Sequence, residues 1–259
     1  MSSAVLPGGV LPSVALPGVA LPGVALPGVA LPGAVLWDLD GTLVDTEPLW
    51  RAEETALVVA HGGTWSLEQG QALVGGELPA YARALQRAGV RLPGEQIIDV
   101  ISARIVARQA QAACWKPGAR ELVAALHAAG VPQAVVTSSY RSFTQPVMRD
   151  SGGAFAVVVP GDEITRPKPD PEPYLIAARR LGVPVADCVV IEDSQVGVAA
   201  GLASGAHVLA LQTEVELPDD DRLSRTATLR AVRVADLARI AAGAVIRFSD
   251  EPDLPAHPA

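Results

Sequence analysis

The chain has 259 residues, 49% hydrophobic but only 4% aromatic, enough for one large domain or two modest ones with a core of Ala, Val and Leu. A formal net charge of -8 and a pI near 5.0 argue against non-specific nucleic-acid binding. The two cysteines, Cys114 and Cys188, lie far apart with no CxxC or His-linked spacing. That suits a reducing cytoplasm and argues against a disulfide framework or a structural zinc site.

Residues 4–33 are six uncharged pentads: AVLPG, GVLPS and then VALPG four times. Proline at every fifth position rules out a continuous helix. A membrane-spanning segment must satisfy its own backbone groups, which this one cannot, so no membrane partner is expected. No basic region follows Met1, so a secretory signal is not expected either. Each Pro-Gly pair favours a type II turn. Residues 1–33 therefore read as a disordered low-complexity tail, with self-association or tethering as the alternative role.

A strand is predicted from Ala34, running AVLW into Asp38-Leu39-Asp40-Gly41-Thr42. Strand side chains alternate, so Asp38 and Asp40 share a face, and two like charges so close repel unless a proton or cation lies between them. Pro48 opens a helical pattern with Thr46 as N-cap, stopped by Gly62-Gly63. Ser66 and Gln69 form a capping box for a short helix to Leu73, and Gly75-Gly76 break the chain. Helices follow over Pro79–Ala88 and about Gln96–Cys114. Residues 45–114 thus read as an all-helical unit, in which Trp50 is assigned to the core.

From Lys116 the texture changes. Helices over 119–129, 142–151, 171–181 and up to Ser204 alternate with strands at 133–139, 154–159, 187–194 and 207–211. Such alternation predicts right-handed crossovers and a parallel sheet covered on both faces. A weak strand is expected near 229–232, a helix over 234–242, and a frayed tail over 246–259.

In such sheets function gathers at the carboxyl ends of the strands. Three strand ends here are polar: Asp38-Leu39-Asp40, Thr137-Ser138-Ser139 and Glu192-Asp193-Ser194, and Arg166-Pro167-Lys168-Pro169 follows a fourth by a loop. Hard oxygen ligands suit Mg²⁺, and Asp38, Glu192 and Asp193 can supply them, with Asp40 joining through its backbone carbonyl. Lys168 and Thr137, with Ser138, would hold phosphoryl oxygens. One carboxylate can attack phosphorus and the other can move protons. The four histidines sit away from these strand ends.

These four elements, in order over about 34–211, resemble the motifs of the haloacid dehalogenase superfamily of phosphotransferases. DLDGTLVDTE is similar to its first motif. VVIEDSQVGVAAGLASGA is similar to the branch with beta-phosphoglucomutase and small sugar-phosphate phosphatases. The resemblance implies Asp38 as nucleophile, Asp40 as acid/base, and Thr137, Lys168 and Glu192-Asp193 as the later motifs. It implies an α/β fold: a Rossmann-like parallel core of 34–44 plus 115–245, with an all-helical cap of 45–114 inserted after a hinge at Leu43-Val44. The cap loop Gly75-Gly76-Glu77 is the expected reader of the leaving group. The branch's mutases use a histidine near the place held here by Trp50, so hydrolysis is favoured over the mutase alternative. The expected enzyme is a cytoplasmic, monomeric, Mg²⁺-dependent phosphatase. It would act on a sugar, polyol or similar phosphate monoester through an aspartyl-phosphate. A non-catalytic assembly protein working through the repeat is the rival reading.

Overall fold

The structure is a computed structural model describing residues 30–73, 78–109, 114–212 and 216–248. Most of the pentad repeat (1–29), the Gly75-Gly76-Glu77 loop and residues 249–259 lie outside the described residues. The elements run β1 (Ala34–Trp37), α1 (Glu47–Ala60), α2 (Leu67–Gln71), α3 (Leu78–Arg87), α4 (Gly94–Gln109), α5 (Ala119–Ala128), β2 (Gln133–Val136), α6 (Arg141–Asp150) and β3 (Val157–Val159). They continue with α7 (Glu172–Leu181), β4 (Cys188–Glu192), α8 (Gln195–Ser204), β5 (His207–Leu211), β6 (Leu223–Thr226) and α9 (Val234–Ala241). The strands form one parallel sheet in the order β3-β2-β1-β4-β5-β6.

Every residue of β1, β2 and β4 is buried, as expected where helices cover both faces of a parallel sheet. Their side chains divide by alternation. Val35, Trp37, Val135 and Ile191 join a core completed by α5, α6 and α9. Ala34, Leu36, Val136 and Val190 join a second core under α7 and α8. The buried indole of Trp37 donates to the Gln133 side chain at 3.0 Å, and Gln133 donates onward to the Val123 carbonyl at 3.0 Å. Burying these polar groups is tolerable because each finds a partner.

Among the described residues of the insertion between β1 and α5 the regular elements are the helices α1 to α4. Its two crossings lie side by side: Asp45 N–H donates to the Cys114 carbonyl at 2.7 Å and Lys116 N–H to the Leu43 carbonyl at 2.8 Å. Above them α4 packs on α6, and the Trp50 ring lies 5.5 Å from that of Phe143.

Several sequence expectations need correction. The strand expected at 229–232 is a 3-10 turn, Leu229–Ala231, opened by the Thr228 hydroxyl accepting from Arg230 N–H. The strand lies instead at β6, whose sequence LSRT carries one large apolar residue and gives little periodic signal. The helix expected to reach Cys114 is described as far as Gln109, residues 110–113 lie outside the described residues, and Cys114 is itself non-helical and supplies the hinge contact to Asp45. Thr46 occupies the N-cap position of α1 without capping it, because its hydroxyl donates elsewhere. The Ser66–Gln69 capping box forms as read. Residues 246–248, expected to begin the frayed tail, are tied to Arg225: its N–H donates to the Ile246 carbonyl at 2.8 Å and Phe248 N–H donates back at 2.9 Å.

Candidate active site

The parallel register brings the carboxyl ends of β1, β2 and β4 together, and Lys168 ties them. Its ammonium donates to Asp38 Oδ1 at 2.7 Å, Glu192 Oε1 at 2.6 Å and the Val136 carbonyl at 3.0 Å. All three protons of the lysine are thereby used, in a place where its side chain is 2% exposed. Asp38 N–H extends the β1–β4 pairing by donating to the Ile191 carbonyl at 3.0 Å, which fixes where that carboxylate stands.

Glu192 is saturated. Oε1 also accepts from the Tyr174 hydroxyl at 2.8 Å, and Oε2 accepts from Asp193 N–H, Ser194 N–H and the Ser194 hydroxyl at 3.0, 3.1 and 3.0 Å. Ser194 caps α8 by accepting from Gly197 N–H at 3.0 Å. A Cβ at Gly197 would collide with the Glu192 carboxylate. Asp193 Oδ1 accepts from the Thr42 hydroxyl at 3.0 Å, and the turn that delivers Thr42 needs Gly41 at φ +91. Asp40 has partners of its own. Oδ1 accepts from the Thr46 hydroxyl at 2.7 Å and Oδ2 from the Ser139 hydroxyl at 2.6 Å. The Thr137 hydroxyl accepts from Ser139 N–H at 2.9 Å.

One carboxylate oxygen each from Asp38, Glu192 and Asp193 lies within 4.8 Å of the others. Three buried acids thus gather beside Lys168, which is bonded to two of them. Burial first, then the charges of Glu192 and Asp193, push Asp38 well above the usual carboxylate range against the pull of Lys168. Asp193 is pushed up to about 7, by burial first and Glu192 second. Burial alone would lower Lys168, but Asp38 and Glu192 outweigh it and hold the ammonium charged. A surplus of buried negative charge on hard oxygen donors fits a small divalent cation. Asp38 and Asp193 have donors to spare; the bonds on Glu192 make it the holder of Lys168 and of the turn at Ser194. The Asp40 side chain, bound to Thr46 and Ser139, is not part of that group.

A cavity of about 520 Å³ opens over this edge and is lined by Asp38, Asp40, Thr137, Ser138, Lys168 and Asp193. Glu192 lies beneath it. The opposite wall comes from the insertion and includes Trp50, which therefore serves both core and cavity. Among the described residues no histidine lines the cavity. Sequence reasoning passed over Thr42, Thr46, Ser139 and Tyr174. The first three were visible as hydroxyl residues beside the acidic motifs; nothing local marked Tyr174, which reaches Glu192 from α7.

The haloacid dehalogenase-like hydrolase family model matches residues 32–205. Hexitol phosphatase A of Escherichia coli is 32% identical over 189 residues, 71% of this chain and 84% of that protein. N-acetylmuramic acid 6-phosphate phosphatase of Pseudomonas aeruginosa is 33% identical over 195 residues, 73% of this chain and 85% of that protein. The structure of CbbY from Rhodobacter sphaeroides with xylulose-1,5-bisphosphate aligns with TM-score 0.67 at 27% identity, covering 77% of this chain and 95% of that one. The fold and its acidic sheet edge are those of an α/β hydrolytic enzyme with a helical cap. The chain belongs to the haloacid dehalogenase-like hydrolase family.

Proposed function

We propose that this phosphoric monoester hydrolase cleaves a small sugar or polyol phosphate in two steps through an aspartyl-phosphate on Asp38. The observation that carries the reading is the grouping of Asp38, Glu192 and Asp193 at the sheet edge, with the Lys168 ammonium bonded to the first two. Lys168 occupies Asp38 Oδ1 and leaves Oδ2 to attack phosphorus, which forms the new P–O bond as the bond to the leaving oxygen breaks. Asp40, held between Thr46 and Ser139, gives the departing alkoxide its proton and then takes one from water, which releases phosphate from Asp38. Thr137, Ser138 and nearby N–H groups hold the phosphoryl oxygens together with the lysine.

Asp38 and Asp193, with the Asp40 carbonyl, would hold Mg²⁺, and Glu192 would act by fixing Lys168. When bound, that ion neutralises charge on the phosphoryl oxygens. Residues 34–44 with 115–245 as core, 45–114 as cap, a cytoplasmic location and a monomeric state complete the proposal. Hydrolysis rather than phosphoryl return to a sugar is supported by a lining in which no described residue is a histidine.

Hydrolysis of p-nitrophenyl phosphate by the full chain, measured with Mg²⁺ and with EDTA, tests the reading. Turnover that EDTA abolishes and Mg²⁺ restores is expected, with Ca²⁺ inhibiting because its looser coordination misplaces the nucleophile. Undiminished turnover in EDTA would reject the metal assignment, and no turnover under any condition would reject the phosphatase.

A further inference from the structure

Lys168 sits in a loop of which the proposed chemistry uses nothing else. Within 165–170 it alone is buried, and its neighbours are exposed or half-buried. Pro167, Pro169 and Pro171 have no N–H to give, so backbone bonds can do little to fix this loop. Within it the Asp170 N–H donates to the Pro167 carbonyl at 3.0 Å.

Side chains supply the rest. Glu172, at the start of α7, reaches back over the loop. Its Oε1 accepts from Thr165 N–H at 3.1 Å and its Oε2 from the Arg166 guanidinium at 2.7 Å. Asp170 Oδ1 accepts from Glu172 N–H at 2.9 Å, and its Oδ2 pairs with Arg166 at 3.3 Å. The two carboxylates thus hold both ends of a segment with Lys168 near its middle. Neither of them lines the cavity. The same turn of α7 carries Tyr174, whose ring centroid is 5.1 Å from the Lys168 ammonium.

The position of this loop matters because the lysine must change partners. Its three protons go to Asp38, Glu192 and the Val136 carbonyl. The ammonium can take hold of a phosphoryl oxygen only by giving up or sharing one of those bonds. During that exchange the flexible lysine stem is guided by its backbone. A displacement of about 1 Å there would carry the ammonium away from its new partner.

Resting on the phosphatase reading above, we propose that Glu172 is a positioning residue for the reaction: its clasp with Thr165, Arg166 and Asp170 sets the loop so that Lys168 meets the transferring phosphoryl group.

Glu172→Ala opens the clasp without touching the cavity. Arg166 is largely exposed, and such an ion pair adds little to global stability. The full chain with Mg²⁺ is therefore expected to keep the wild-type melting temperature while kcat/KM falls about tenfold. The fall should be equal on a hexitol monophosphate and on p-nitrophenyl phosphate, which share only the phosphoryl end, and inorganic phosphate should inhibit about tenfold more weakly. Glu172→Gln, which keeps one acceptor oxygen, should lie between Glu172→Ala and the wild type. Wild-type kcat/KM in Glu172→Ala overturns the proposal. So does a loss of activity that a lowered melting temperature accounts for, the signature of a merely structural role, and so does a fall confined to one ester. Should Glu172→Ala fail to fold, Arg166→Ala, which removes the exposed half of the clasp, decides by the same measurements. No turnover of either ester by the wild-type chain would instead overturn the phosphatase reading, and this proposal with it.

Discussion

The two walls of the cavity differ in how their polar groups are satisfied. On the sheet edge the lysine uses every proton, Glu192 accepts on both oxygens, and Asp40 is held from two sides. On the insertion wall Tyr81 lacks a well-formed partner. Groups held by so many bonds are rigid and suit one chemistry, because they stand ready where charge develops. A wall with a buried hydroxyl left without a well-formed bond is less tightly held.

The sharpest way to break that division is at the nucleophile. On the proposed mechanism Asp38→Asn should lower kcat by about 10³-fold or more while leaving the fold intact, since a residue proposed to form the covalent intermediate would have no substitute. Turnover by this variant within tenfold of the wild type would place the chemistry elsewhere. Lys168→Met attacks the same wall through stability. It strands two buried carboxylates, Asp38 and Glu192, and should cost about 3–5 kcal/mol in denaturant unfolding. A loss under 1 kcal/mol would mean that water readily reaches the acids.

A smaller effect is expected from Gly41→Ala. The φ of +91 is strained for any other residue, and the added Cβ would run into the Asp193 carboxylate. If Asp193 holds the cation as proposed, displacing it in this way should weaken Mg²⁺ activation by ~10–100-fold. An unchanged Mg²⁺ titration would remove Asp193 from that role.

The two walls were also unequally legible in the sequence. The sheet edge was readable because strand alternation, a glycine turn and strand-end polarity fix side chains locally, so Asp38, Lys168 and Asp193 emerged by position. The parallel sheet followed from the alternation of strands and helices, whereas β6 did not, since LSRT is paired through the backbone and not by a hydrophobic pattern. The insertion wall was opaque. Trp50 and Tyr81 are apolar-face residues of two separate helices, and only tertiary packing turns them toward the cavity. Glu192 shows the limit within the readable wall. Its place was clear from the strand, but that five hydrogen bonds would occupy it depends on α7, Lys168 and the turn at Ser194 meeting there.

The smallest effect, and the one that tests the charge imbalance of the sheet edge directly, is the pH dependence of stability without metal. The Asp193 carboxyl rises from an ordinary 3.8 to about 7 on folding. Between those values the unfolded chain has released this proton while the folded chain keeps it, so raising the pH favours unfolding. Asp38 is raised too and adds the same sign. Lys168 is raised from 10.5, so its contribution is fully present across this range and is lost only in strong alkali. Asp220, held at about 2 by Arg222, gives the opposite slope only below its ordinary 3.8. In EDTA the melting temperature should therefore be lower at pH 8 than at pH 5. Excess Mg²⁺ should raise it more at pH 8, where the acids are ready to bind without first losing protons. A melting temperature that climbs from pH 5 to pH 8 in EDTA would mean that the sheet edge carries no surplus of buried negative charge. The case for a cation between Asp38 and Asp193 would fall with it.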